Sequence, residues 1–240
     1  LSDWSSDVCS SDLERVYVHQ DVAEQFINLV VRNAKTLKPG KNYGAMTMPK
    51  QIEVVRRHVT DAINSGAKAM LGGVESVGDR FIEPVVLVDV PEFSTAMTEE
   101  TFGPTIAINK VSDMESAIEL ANATNYGLGA SVWSEKSGTK IADKLNCGMV
   151  AINAAFSYAA VPTMPFGGVK DSGYGRIHGP EGLLEFTYAQ TMVSTKFNLP
   201  IHFTSFKRNK FADNLVINIS KLLNRSEEHT SELQSLRHLV

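Results

Sequence analysis

FIEPVVLVDV, residues 81–90, is the stretch on which the fold turns. It reads as a strand with Pro84 near its start, where a missing backbone N–H is tolerated. From Pro84 onward the run PVVLV is apolar on both faces. A strand with one face in water alternates apolar and polar residues. A strand that is apolar on both sides is covered on both sides, as strands of a parallel sheet are. IAI within PTIAINKV (104–111) and MVAI within MVAIN (149–153) read the same way.

Helical patterns alternate with these runs. ERVYVHQ (14–20) is β-like and leads into DVAEQFINLVVRNAKTL (21–37), with Val22, Phe26, Val30, Ala34 and Leu37 at helical spacing. Asp21 is the expected N-cap, and Pro39-Gly40 ends the helix. In PKQIEVVRRHVTDAINSGAKAML, residues Ile52, Val55, Val59 and Ile63 form a second apolar stripe that Gly66 stops. SDMESAIELANAT is a short helix with Ser112 as cap and Met114, Ala117, Ile118 and Ala121 facing inward. YGLGASVWS reads as one strand, SGTKIADKLNCG as a helix and GPEGLLEFT as a short helix. Strands alternating with helices predict an α/β fold, a mostly parallel sheet with helices on both faces.

Composition narrows the class. The chain has 240 residues, 43% hydrophobic and 21% charged, which is ordinary for a globular protein. A net charge of -4 gives no electrostatic footprint for nucleic acid. There is no apolar run of membrane-spanning length and no signal-peptide pattern. Cys9 and Cys147 make neither a disulfide framework nor a zinc motif. No metal site is expected, and the cytoplasm is the expected location. No internal repeat of solenoid length is visible.

The two ends differ from the rest. LSDWSSDVCSSDL (1–13) and RSEEHTSELQS (225–235) are polar and without periodicity. They resemble translations of one sequencing adapter read from both strands; natural disordered tails are the other reading. Residues 1–13 and 225–240 are accordingly expected to be foreign, and Cys9 with them.

Three motifs carry chemistry. PFGGVKDSGYGR (165–176) packs four glycines around Lys170 and Arg176. It is not a Walker loop, because Asp171 follows Lys170, and its glycine spacing misses the dinucleotide fingerprint. MTEETFGP (97–104) sets two adjacent carboxylates before Phe102 and Gly-Pro, between two strands. Taken alone it is either a solvated acidic turn or a carboxylate for sugar hydroxyls beside an aromatic for a flat ring. NYGLGASVW (125–133) leads from a loop into a strand.

Together with ERVYVH and GMVAIN, in this order and spacing, these motifs resemble the NAD(P)-dependent aldehyde dehydrogenase superfamily from about 14 to about 195. The resemblance implies an aldehyde dehydrogenase-like fold and oxidation of an aldehyde to a carboxylic acid. The cofactor is NAD or NADP, and the route is a cysteine thiohemiacetal and thioester. It implies that Glu100 binds the nicotinamide ribose hydroxyls and that Phe102 flanks the nicotinamide. Asn153, followed by Ala154 and Ala155, begins the substrate-tunnel wall, Phe166 lies near that tunnel, and 156–164 helps set which aldehyde fits. Tyr188 stands where some members carry a relay glutamate. The nucleophilic Cys and the general-base Glu of the family precede ERVYVH, so the chain reads as a C-terminal fragment, itself inactive. Cys147, with no activating neighbour in sequence, reads as a small buried residue.

The implied organisation is a catalytic part with the closing end of the cofactor domain over 14–185, an oligomerisation-arm strand over 186–196 and an extension over 197–224. A homo-oligomer is expected of the full-length parent. The extension holds Lys207, Arg208 and Lys210, then Phe211, Leu215, Ile219 and Leu222 at helical spacing. Two readings stand: an amphipathic helix making peripheral membrane contact, or a tail packed on a neighbouring subunit. Other functional readings are a non-catalytic remnant or interaction domain and a CoA-acylating member of the family.

Overall fold

Side chains of successive residues along the 81–90 strand point into two separate cores. This was established in a computed structural model that describes residues 14–194, 196 and 210–237. The tail 1–13 with Cys9, the segment 197–209 with Lys207 and Arg208, and residues 238–240 lie outside the described residues.

The elements run in chain order as β1 (Arg15–His19), α1 (Gln20–Ala34), α2 (Pro49–Asn64), β2 (Lys68–Leu71), β3 (Val85–Val88), α3 (Thr95–Thr98), β4 (Thr105–Val111) and α4 (Met114–Asn122). Then follow β5 (Tyr126–Gly127), β6 (Gly129–Val132), α5 (Gly138–Ala142), β7 (Met149–Ile152), β8 (Val169–Lys170), α6 (Gly179–Leu184) and α7 (Lys210–Arg237). The main sheet has the order β1-β4-β3-β2. Strand β4 is parallel to both β1 and β3, and β2 closes the edge antiparallel to β3.

The two-residue period of a strand decides which helix each residue meets. Val85, Leu87 and Ala107 pack with Ile52, Val55, Val59 and Ala62 of α2. Val86, Val88 and Ile108 pack with Ala23 and Ile27 of α1. A helix therefore covers each face, as the doubly apolar run requires.

The chain divides into two compact units after Tyr188. Residues 187–194 form no strand; a lone strand has no ladder, and none of the described residues pairs with them. The arm strand expected over 186–196 is thus not formed within the described residues. The helix expected in the extension is present as α7 and continues past residue 224.

Several local expectations are corrected. The N-cap of α1 is His19, whose Nδ1 accepts from the Asp21 N–H at 3.3 Å. Asp113, not Ser112, caps α4: its Oδ1 accepts from the Ser116 N–H at 2.8 Å. A carboxylate is the stronger acceptor there, and Ser112 Oγ donates to Asp113 Oδ2 at 2.7 Å. Helix α4 has no buried residue, and Met114 is exposed. YGLGASVWS is two strands, because β5 pairs antiparallel with β8 whereas β6 pairs parallel with β7.

Candidate functional site

Glu100 and Phe102 sit on the turn between α3 and β4, and that turn is gripped from three directions. Upstream, Asp61 of α2 fixes the start of α3: its Oδ2 accepts from Ser94 Oγ at 2.7 Å and from the Thr95 N–H at 2.8 Å. Those bonds hold the Asp61 carboxyl below its usual range. At the turn, Glu14 Oε1 accepts from the N–H groups of Thr101 at 2.5 Å and Phe102 at 2.8 Å. Gln51 Nε2 donates to the Thr101 carbonyl at 2.5 Å. Phe102 has φ 44°, a left-handed conformation rare for an aromatic residue, and these bonds over-determine it.

The third grip is His58. Its side chain is fully buried, with Nδ1 at 3.0 Å from Thr101 Oγ1 and Nε2 at 3.3 Å from Glu99 Oε2. Burial pushes its pKa down, so it is the neutral ring that these partners bind. A carboxylate only accepts, so Nε2 carries the proton and Nδ1 accepts from Thr101. Arg57 forks onto Glu99 at 2.6 and 3.1 Å, and those bonds, with the opposing effect of partial desolvation and the help of His58, bring the Glu99 carboxyl down to about 2.

Three carboxylates therefore meet at this turn with different states. Glu14 and Glu99 are engaged with the protein, so Glu99 is a structural clamp. Glu100 is exposed, and no described residue hydrogen-bonds its carboxylate. Partial desolvation, then the charge of Glu14, raise its pKa. Phe102, two residues on, is 36% exposed. One turn thus carries both a carboxylate with unused acceptors and an exposed flat apolar ring. Those are the groups needed against a ribose diol and an aromatic heterocycle, so the residues present fit a nicotinamide riboside.

The other two expected residues lie elsewhere. Asn153, with φ 53°, uses its side chain to join strand ends: Nδ2 donates to the Ser134 carbonyl at 3.0 Å and Oδ1 accepts from the Ser134 N–H at 2.9 Å. Phe166 is 8% exposed and packs in a core with Met149, Ala151 and Tyr158. Its ring lies 6.5 Å from Tyr158 and 6.2 Å from His178 between centroids. Phe166 also exchanges two backbone bonds with Ile177, at 2.7 and 2.8 Å. Neither side chain is displayed as a free wall; both are engaged in local structure. The glycine-rich stretch itself is a close crossing of backbones. A Cβ on Gly148 would overlap the carbonyl oxygen of Gly167.

Cys147 is half-buried, its Sγ 3.2 Å from the Met149 carbonyl, and burial raises its pKa. That is the reverse of an activated thiol. Tyr188 is exposed. Among the described residues no group of three or more His, Cys, Asp or Glu side chains is placed to hold a metal. Sequence reasoning passed over Glu14, Gln51, Arg57, His58 and Asp61. Only His58 left a signal: a titratable residue on the apolar stripe of α2, flanked by Val55 and Val59.

The fold is that of an NAD-linked aldehyde oxidoreductase. It matches an aldehyde dehydrogenase from Brucella melitensis biovar abortus with TM-score 0.67 at 33% identity, over 72% of this chain and 37% of that one. A betaine aldehyde dehydrogenase from Staphylococcus aureus, solved with NAD+, matches with TM-score 0.66 at 28% identity, over 72% and 36%. The profile of the aldehyde dehydrogenase family matches residues 5–192, including part of the tail expected to be foreign. The chain belongs to the aldehyde dehydrogenase family. A provisionally named NADP+ succinate-semialdehyde dehydrogenase of Mycobacterium ulcerans is 41% identical over 199 residues, 78% of this chain and 38% of its own length. A 4,4'-diapolycopene aldehyde oxidase of a Methylomonas species is 40% identical over 202 residues, 82% of this chain and 38% of its own. The chain thus spans under two-fifths of these curated relatives.

Proposed function

We propose that the protein to which this chain belongs oxidises an aldehyde to a carboxylic acid with NAD or NADP as hydride acceptor, and that Glu100 and Phe102 hold the nicotinamide riboside. The supporting observation is the unequal use of the three carboxylates. Glu14 and Glu99 are tied to the turn, whereas Glu100 keeps its oxygens for ligand hydroxyls and Phe102 offers its ring beside them. Bound NAD(P) supplies the hydride acceptor. This chain orients it: Glu14, Gln51 and His58 fix the turn so that little ordering remains on binding. Asn153 and Phe166 act behind the substrate tunnel, holding the 153–166 segment in shape. The attacking thiol and the general base come from outside the described residues, as the family resemblance implies. Two relatives of nearly equal identity carry the names of different aldehydes, so identity does not choose the substrate.

Glu100→Gln in the full-length protein is expected to weaken NAD(P) binding at least about tenfold, since one charge-assisted hydrogen bond contributes about 1.5–3 kcal/mol. Fluorescence titration of the reduced cofactor reads this directly, and unchanged affinity overturns the assignment. The chain 1–240 alone is expected to release no reduced cofactor from aldehyde and NAD(P). Turnover that Cys147→Ser abolishes would place the nucleophile there instead. We further propose a cytoplasmic location and, supported by the exposed Leu183, Leu184, Phe186 and Tyr188, a homo-oligomer.

A further inference from the structure

Between α5 and β8 the chain gives up charge. Residues 145–169 hold no Asp, Glu, Lys, Arg or His, in a chain of which 21% is charged. Part of that run is core, but the loop 153–165 is mostly exposed. Ala155, Ser157, Ala160, Pro162, Thr163 and Met164 all face out, and four of the six are apolar. An exposed loop ordinarily carries charged side chains, because water solvates them. This loop is also held in shape. Ser131 Oγ donates to the Ala154 carbonyl at 2.5 Å, the Gly179 N–H to the Pro162 carbonyl at 3.0 Å and the Met164 N–H to the Val161 carbonyl at 3.0 Å. A fixed, uncharged surface suits an apolar guest.

The charges around the loop lead to the same guest. Lys170 and Arg176, the cations that follow it, are turned to backbone. Lys170 Nζ donates to the carbonyls of Asn122 at 2.8 Å and Thr124 at 2.9 Å, and Arg176 Nη1 to those of Gly168 at 2.7 Å and Gly175 at 2.9 Å. Ahead of it, Glu135 and Lys136 carry opposite charges. A carboxylate stands beside it: a Cβ on Gly179 would lie 3.0 Å from Glu181 Oε2 and 3.2 Å from the Thr163 carbonyl oxygen. His178 is close as well, its ring 6.2 Å from that of Phe166. A substrate carboxylate laid on this wall would lose water, meet a like charge and find Lys170 and Arg176 already engaged. We propose that the aldehyde is uncharged and apolar beyond its carbonyl group. The inference rests on the reading of 153–166 as part of the substrate tunnel.

The test gives the full-length protein NAD(P) and three aldehydes: hexanal, succinate semialdehyde and the methyl ester of succinate semialdehyde. The ester keeps the chain of the acid and removes its charge. Hexanal and the ester are expected to exceed succinate semialdehyde in kcat/KM by at least about tenfold. Met164→Arg, at an exposed position, is expected to narrow that gap by about tenfold, with the affinity for reduced cofactor unchanged. His178→Gln is expected to leave the gap as it is. The proposal is overturned if succinate semialdehyde equals or exceeds its ester, or if Met164→Arg keeps cofactor affinity and leaves the gap unchanged. It is also overturned if His178→Gln lowers turnover of succinate semialdehyde alone. Oxidation of none of the three by a protein that binds NAD(P) sinks the catalytic reading and this inference with it, whereas a preference for the acid sinks this inference alone.

Discussion

The sheet region, residues 14–123, and the glycine-rich region, residues 124–188, are built on different principles. Among the described residues, twenty buried apolar side chains lie at or before Val111 and six beyond it. The first region is held by side chains: two helices clamp the faces of β3 and β4, and the strands supply alternate residues to each. The second is held by backbone crossing backbone, with Gly148 against Gly167, and by polar clips such as Asn153 on Ser134. Its side chains are turned outward, with Tyr174, Leu183, Leu184 and Phe186 all exposed. A region packed through side chains supplies its own cohesion, whereas one packed through glycines leaves more of its apolar side chains exposed. The turn that carries Glu100 and Phe102 belongs to the first kind, which suits the cofactor role proposed for it.

The sharpest way to break this contrast is to remove one buried side chain from each region. Ile108→Ala opens a cavity at a site with no exposure and is expected to destabilise by about 2–5 kcal/mol in urea unfolding. Phe166→Ala, in the small third core, is expected to change the global midpoint less than Ile108→Ala despite the larger ring. Equal losses would mean that the two regions share one cooperative core. Gly148→Ala comes next, at about 1–3 kcal/mol from the forced shift of Gly167. It should act locally: the Gly148 N–H, bonded to the Gly127 carbonyl at 2.9 Å, and the Phe166 N–H should exchange faster, with β3 amides unchanged. Asn153→Ala follows at about 1 kcal/mol for its two bonds to Ser134.

The same contrast explains what could be read from sequence. Most of the sheet region was legible because period-2 and period-3.6 patterns state which face is buried; the runs at 81–90 and 104–111 and the stripe of α2 were where the pattern put them, whereas the stripe of α4 is not buried. The edge strand β2 left no such mark, since its short run is largely exposed. In the glycine-rich region a motif shows that backbones approach but not what they approach, so the packing of Phe166 with Met149, Ala151 and Tyr158 was not legible. At the turn between α3 and β4, the MTEETFGP motif was legible. Its supports were not, because Glu14 and His58 lie 87 and 43 residues from Thr101 in sequence and meet it only through the fold.

The smallest effect tests that clamp through pH. Burial lowers the pKa of His58 from 6.5 in the folded protein, while in the unfolded chain it titrates at its ordinary value. Between the folded value and 6.5 the unfolded state binds more protons, so stability is expected to fall as pH drops below 6.5 and to level off below the folded value. Glu99, down at about 2 from 4.5, gives a separate loss as pH falls through the range below 4.5. The groups facing His58 are Glu99, Thr101, Arg57 and Glu14, and of these Arg57 opposes its protonation while both glutamates favour it. Burial outweighs the two glutamates and leaves the ring neutral, and thermal melts across this range check it. A first loss that disappears in His58→Gln, with the second retained, fits a neutral ring bridging Thr101 and Glu99. Stability that instead rises as pH falls through 6.5 would make His58 a cation paired with Glu99, and the turn would then be held by charge rather than by a neutral hydrogen-bonded network.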